Sequence, residues 1–295
     1  DEIDLITDNK EGPTFDNTIV AMEMSGELLG RVAAVFFALA SANTNDEMEK
    51  IRADIAPKLS AHSDKILLNP KLFKRVEEIY INRESIGLND ESILLIERYY
   101  IDFVRSGSKL SIKEKDRLKS INGEISVLQT KFSQNVLKEV NASAVIFDSR
   151  KDLDGLSSAA IESAANEASS RGLNGKYVIA LKNTSGQPSL SSLTNRSSRE
   201  KIHKASLSRG SRGGEFDNRE ILVNIIKLRS EKARLMGYNN HAAYTLETQT
   251  AQNPQNVNKR LSSLSPKALA NAKKEASDLQ NMIESEGSSF ELESW

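Results

Sequence analysis

The sequence predicts a mainly α fold, a multi-helix array interrupted once by a small strand–helix–strand insert. Three observations lead there. Apolar residues recur at three- and four-residue steps along most of the chain. Leu, Ala, Ile, Ser, Glu, Lys and Asn dominate while aromatics make up 5%, a mixture that favours helices. Helix caps and Gly or Pro stops punctuate the periodic runs.

The elements follow in order. Ile3, Leu5 and Ile6 read as the tail of a helix that Gly12-Pro13 stops. Thr14 caps a run whose apolar stripe includes Phe15, Ile19, Met22, Leu28, Val32, Val35 and Leu39, bent at Ser25-Gly26. Asn45 or Asp46 caps the next helix, with Met48, Ile51, Ile55, Leu59 and Ile66 on one face. Pro57 inside it predicts a kink or a break. Asn69-Pro70 opens a helix to about Arg83, and Asn89-Asp90 opens another through Val104, which Ser106-Gly107 ends. A long charged helix is expected from Ile112 to Val140.

The pattern then changes. Ala144–Phe147 and Tyr177–Leu181 read as short strands around a helix from Ser157 to Arg171. After Pro188 the chain is helical again. A basic stretch from Arg209 to Gly214 breaks the helices and reads as a flexible connector. Helices follow over Asp217–Met236, which Gly237 stops, over Ala242–Glu247, and from Pro254 to Glu286, before a polar tail that ends at Trp295. Three regions result: 1–141, an N-terminal helical region; 142–187, a small α/β insert; and 188–295, a helical region leading towards a further part.

Length and composition bound the function. The 295 residues allow one large domain or two ordinary ones. Forty Lys plus Arg against 41 Asp plus Glu leave a net charge of −1, without the basic field that nucleic-acid binding needs. The chain has no cysteine, which excludes disulfides, Cys-ligated zinc and thiol catalysis. Such a chain suits cytoplasm or periplasm. The longest apolar run, Val32–Ala40, is too short to cross a bilayer, so no membrane partner is expected. The sequence opens with Asp1 rather than Met, and its true start, with any secretion signal, is expected to lie upstream.

Candidate chemistry is sparse. A zincin needs two histidines at i and i+4 on a helix with a Glu between them, so that both imidazoles reach one ion. The three histidines, His62, His203 and His241, make no such pair. No G-x-S-x-G elbow and no phosphate-cradling glycine loop occurs. Paired carboxylates such as Glu77-Glu78 fit solvated helix faces. No catalytic or metal-ligating residue is assigned, and substrate-binding residues are unknown from sequence.

The run Pro13-Thr14-Phe15-Asp16-Asn17-Thr18-Ile19-Val20-Ala21-Met22-Glu23, followed by Ser25-Gly26-Glu27-Leu28-Leu29, resembles the N-terminal signature of bacterial peptidyl-dipeptidases, relatives of oligopeptidase A and thimet oligopeptidase. Ala42–Asp46 and Leu68–Phe73 continue it. Downstream, Arg229, Lys232, Ala233, Leu235, Gly237, Tyr238 and Tyr244 are similar too, as are the segment from Pro254 and the stretch Phe290–Trp295. No single motif is a catalytic fingerprint; order and spacing carry the resemblance. It implies a zinc metallopeptidase with a helical fold around a deep channel, acting on short peptides and removing C-terminal dipeptides. It also implies that zinc sits on an H-E-x-x-H helix plus a later Glu, C-terminal to the stretch matched here. The chain is therefore expected to be the N-terminal structural portion of such an enzyme, inactive and zinc-free alone, with the catalytic part as its partner. The alternative is a stand-alone helical binding or scaffold protein derived from that family. An exposed, unpartnered Trp295 and an uncovered apolar patch are expected of a truncated chain.

Overall fold

The computed structural model describes residues 1–184 and 186–295. The fold is mainly α with one two-stranded sheet. The chain divides into two units, each discontinuous in sequence: residues 1–131 with 223–244, and residues 132–222 with 245–295.

In the first unit, α1 (Glu2–Asp8) leads to one π-helical stretch, Phe15–Val20, that runs into α2 (Ala21–Glu23). Thr14 and Asn17 form a reciprocal capping box at its start. Gly26, at φ 75°, then breaks the run before α3 (Glu27–Ala42), because only glycine takes the left-handed region without strain. Asn45 caps α4 (Asp46–Leu67), Asn69 caps α5 (Pro70–Asn82) and Asn89 caps α6 (Asp90–Arg105), each accepting a backbone N–H. The core forms where the α5 stripe of Leu72, Phe73, Val76 and Ile79 meets Ile96 and Phe103 of α6 and Ile19. Leu72, Val76, Ile96, Phe103 and Ile19 are fully buried, and each contributes about 1.5–3 kcal/mol. Tyr80 and Tyr100 stack with centroids 3.8 Å apart.

Two expectations fail in this unit. Of the kink or break expected at Pro57, the break does not occur: α4 runs on for 22 residues through it. Proline removes one hydrogen bond, and the turns on either side retain theirs. The segment Phe15–Ala42 is, by length and composition alone, long and apolar enough to cross a membrane, against the expectation that no stretch reaches that length. It carries Asp16, Glu23, Glu27 and Arg31 and is interrupted at Gly26.

The second unit takes the C-terminal part of α7 (Ile112–Ala142), then β1 (Val145–Phe147), α8 (Ser158–Ser170), β2 (Tyr177–Ile179), α9 (Arg196–Leu207), the start of α10 (Arg219–Leu235) and α12 (Pro254–Ser285). The strands pair antiparallel, Val145 opposite Ile179 and Phe147 opposite Tyr177. Along β1, Val145 and Phe147 are buried and Ile146 faces out, the alternation of a half-covered strand. Leu153, Ala164, Leu181, Leu193 and Ile202 complete this core. Gly155 sits at φ 95°, and a Cβ there would lie 2.1 Å from the Ser192 carbonyl oxygen.

Candidate functional site

The first unit holds a polar cavity of about 380 Å³. Its walls come from α4, α7, α10 and α11 (His241–Leu246). Asp64 stands in the last turn of α4, Asn122 in the middle of α7 and Lys232 near the end of α10. Lys232 Nζ donates to Asn122 Oδ1 at 2.7 Å, and Asn122 Nδ2 donates to Asp64 Oδ1 at 2.7 Å. One amide thus links three helices. Burial pushes the Asp64 carboxyl up, an effect that the Asn122 bond and the charges of Lys232 and Lys119 oppose. Burial pushes the Lys232 amine down, against the pull of Asp64. Beside the cavity, Arg105 Nη2 donates to the Tyr244 carbonyl at 2.6 Å and its Nη1 to the Tyr238 hydroxyl at 3.2 Å.

In the second unit the Arg209–Gly214 stretch is held, not flexible. Glu139 of α7 receives it, and Phe132 and Asn135 on the same face bond Asn218, which follows it and donates its backbone N–H to the Gly210 carbonyl. Glu139 is buried and accepts from the Gly210 N–H and from Arg212 Nε, the latter at 3.0 Å. Asn218 Nδ2 donates to the Phe132 carbonyl and Asn135 Nδ2 donates to Asn218 Oδ1, both at 3.0 Å. Arg209 donates to the carbonyls of Lys182 and Thr184. The guanidinium groups are spent on internal acceptors, which is why a run rich in glycine and arginine is ordered here.

Trp295 is not an exposed, unpartnered end either. It is half-buried, its ring 5.8 Å from that of His203, with the Arg196 guanidinium and the Lys204 ammonium over its face. Its carbonyl accepts from Arg199 Nε at 2.6 Å.

The three histidines stand on separate elements. His62 is exposed on α4, His203 lies on α9 beside Trp295, and His241 opens α11. Among the described residues no three His, Cys, Asp or Glu side chains stand close enough together to hold a metal ion. The sequence reading singled out neither Asp64 nor Asn122, and named Lys232 only for its resemblance to the peptidase family.

Comparisons with known proteins place the chain. The profile of Peptidase family M3 matches residues 189–295. Dipeptidyl carboxypeptidase of Salmonella typhimurium is 35% identical over 294 residues, 100% of this chain and 43% of that protein; that of Escherichia coli gives the same identity and coverage. Oligopeptidase A of Haemophilus influenzae is 28% identical over 286 residues, 96% of this chain and 42% of that protein. The chain thus spans less than half the length of these relatives. Similarity to these peptidases runs the length of the chain, and the match to the profile of Peptidase family M3 lies in its last third.

Proposed function

We propose that this chain is the N-terminal structural portion of a zinc metallopeptidase that hydrolyses oligopeptides and releases C-terminal dipeptides. On this reading the zinc ligands and the catalytic Glu lie on a further part of the same polypeptide, and the residues described here are inactive alone. Zinc would polarise the scissile carbonyl and activate water there; this chain supplies wall and scaffold. A cytoplasmic setting suits a chain without cysteine, as does a periplasmic one.

One observation besides the family match carries the reading. Helix α3 presents Leu28, Val32, Val35 and Leu39 at helical spacing, 74%, 60%, 62% and 55% exposed, and α12 presents Leu261, Leu264, Leu279 and Met282 in the same way. Stripes of this kind are core faces that await a cover. The chain exposes 18845 Å². Two separate compact units of half its mass would together expose about 15,000 Å².

The deciding experiment measures dipeptide release from an N-blocked oligopeptide with zinc, first by this chain alone and then after mixing with the remaining polypeptide. Activity only in the mixture supports the reading. Activity of this chain alone overturns it, as does silence of a mixture whose halves associate and bind zinc.

A further inference from the structure

The cavity between α4, α7, α10 and α11 contains two opposite charges that do not meet. Asp64 and Lys232 form no ion pair with each other or with any other group among the described residues; each is bonded only to the Asn122 amide. A carboxylate accepts up to about four hydrogen bonds and an ammonium donates three, so both retain capacity. Partly buried charges ordinarily find an opposite charge, because desolvation without one is costly. Here Asn122 keeps the two apart, on rigid helices. Burial moves Asp64 up and Lys232 down, and in each it outweighs the attraction of the opposite charge.

We propose that this cavity binds a small zwitterion of the α-amino acid type, its ammonium accepted by Asp64 and its carboxylate held by Lys232. The charge pattern selects this class. A simple anion would satisfy Lys232 but crowd Asp64. A simple cation would do the reverse. A neutral polar molecule would compensate neither. The remaining walls fit: Ser60, Ser126 and Gln129 supply hydroxyl and amide groups, and Ile125 and Leu67 give the site an apolar side. A volume of about 380 Å³ falls at the lower end of small-molecule sites, which run from about 300 to 1,000 Å³. A free amino acid and an unblocked short peptide carry the same two termini, so both sources share the chemistry. The inference uses no residue of the peptidase machinery and stands or falls apart from it.

The test is an NMR titration of the complete protein, reading the side-chain amide of Asn122. The probes are L-alanine and L-alanyl-L-alanine; the controls are N-acetyl-L-alanine, which lacks the ammonium, and L-alaninamide, which lacks the carboxylate. The expected result is a saturable shift at millimolar probe with at least one unblocked compound and at least tenfold weaker binding of both controls. Saturation by alanine assigns the free amino acid as the source; saturation by the dipeptide alone assigns a short peptide. Lys232→Met and Asp64→Asn should each abolish saturation. No saturation with either unblocked probe, or equal binding of the blocked controls, overturns the proposal. The blocked controls use the unmodified protein, so the result does not depend on how either variant folds.

Discussion

Arg75 donates through Nη2 to Asn17 Oδ1 at 2.8 Å, an oxygen that also accepts the Thr14 backbone N–H at 2.8 Å. A helix-capping interaction is thereby fastened to a side chain 58 positions away. The same guanidinium donates to Thr18 Oγ1 at 3.1 Å and to the carbonyls of Asn9 and Glu11 at 3.4 and 3.1 Å. All these acceptors are neutral, and Arg75 is buried. The fork therefore folds residues 9–18 over the first core by geometry.

Arg75→Met should lower the stability of the first unit by about 2–4 kcal/mol, because it strands several acceptors at once. Arg75→Lys should recover less than half of that loss, since one ammonium cannot span the fork. Urea unfolding of both variants checks this; a Lys variant as stable as the parent would refute the role given to the fork.

Gly155 and Gly172 separate steric from conformational cost. Both have positive φ, 95° and 73°, but a Cβ at 155 meets backbone at 2.1 Å whereas a Cβ at 172 meets nothing within 4 Å. Gly172→Ala should cost about 1 kcal/mol. Gly155→Ala should cost clearly more, about 3 kcal/mol or above, or prevent the second unit from folding. Equal thermal midpoints would contradict the packing described.

Glu139 anchors the Arg209–Gly214 loop. Glu139→Gln should destabilise by about 2–3 kcal/mol, through loss of the charge-assisted bonds from Arg212 and the Gly210 N–H. Combined with Arg212→Ala, the cost should fall short of the sum of the single costs, as residues in one network require. Strict additivity in the double-mutant cycle would show that the two do not act together.

The pH response near neutrality should carry the mark of His241. Burial, and then the charges of Arg229 and Lys232, hold its imidazole below the ordinary 6.5. The unfolded chain therefore binds a proton that the folded chain refuses in the window from 6.5 down to the lower folded value. Stability should fall as pH falls through that window. His241→Gln should flatten this part of the curve, and NMR titration of the ring in the folded protein should give a midpoint under 6.5. A midpoint at or above 6.5 would reverse the sign.

Much of the fold was legible in residue order because its signals are local. Asn69-Pro70 opens α5 at Pro70, Gly237 stops α10 at φ 83°, and β1 and β2 fall inside the two β-rich runs. The π-helical start at Phe15 was not legible, since one apolar stripe serves α- and π-turns alike over so few residues. The uninterrupted α4 defied Pro57 because the hydrogen bonds of the other turns outweigh the single one lost. The Arg209–Gly214 loop looked loose because its partners, Glu139 and the carbonyls of Lys182 and Thr184, lie up to 73 positions away. The cavity was hidden for the same reason. Asp64 and Asn122 are 58 positions apart and Asn122 and Lys232 are 110 apart, and none of the three belongs to a local motif.

The interleaving of the two units sets a timetable for synthesis. Residues 1–131 leave the ribosome first, but the segment that completes their unit, 223–244, follows only after the stretch 132–222 has been made. At about 5–20 residues per second, that detour lasts about 5–20 s. For that interval the first core can close, but the first unit is incomplete, with Asp64 and Asn122 awaiting Lys232 and Arg105 awaiting Tyr238 and Tyr244. A chaperone that binds exposed apolar helices has its opportunity then, and a rare-codon pause within 132–222 would lengthen it.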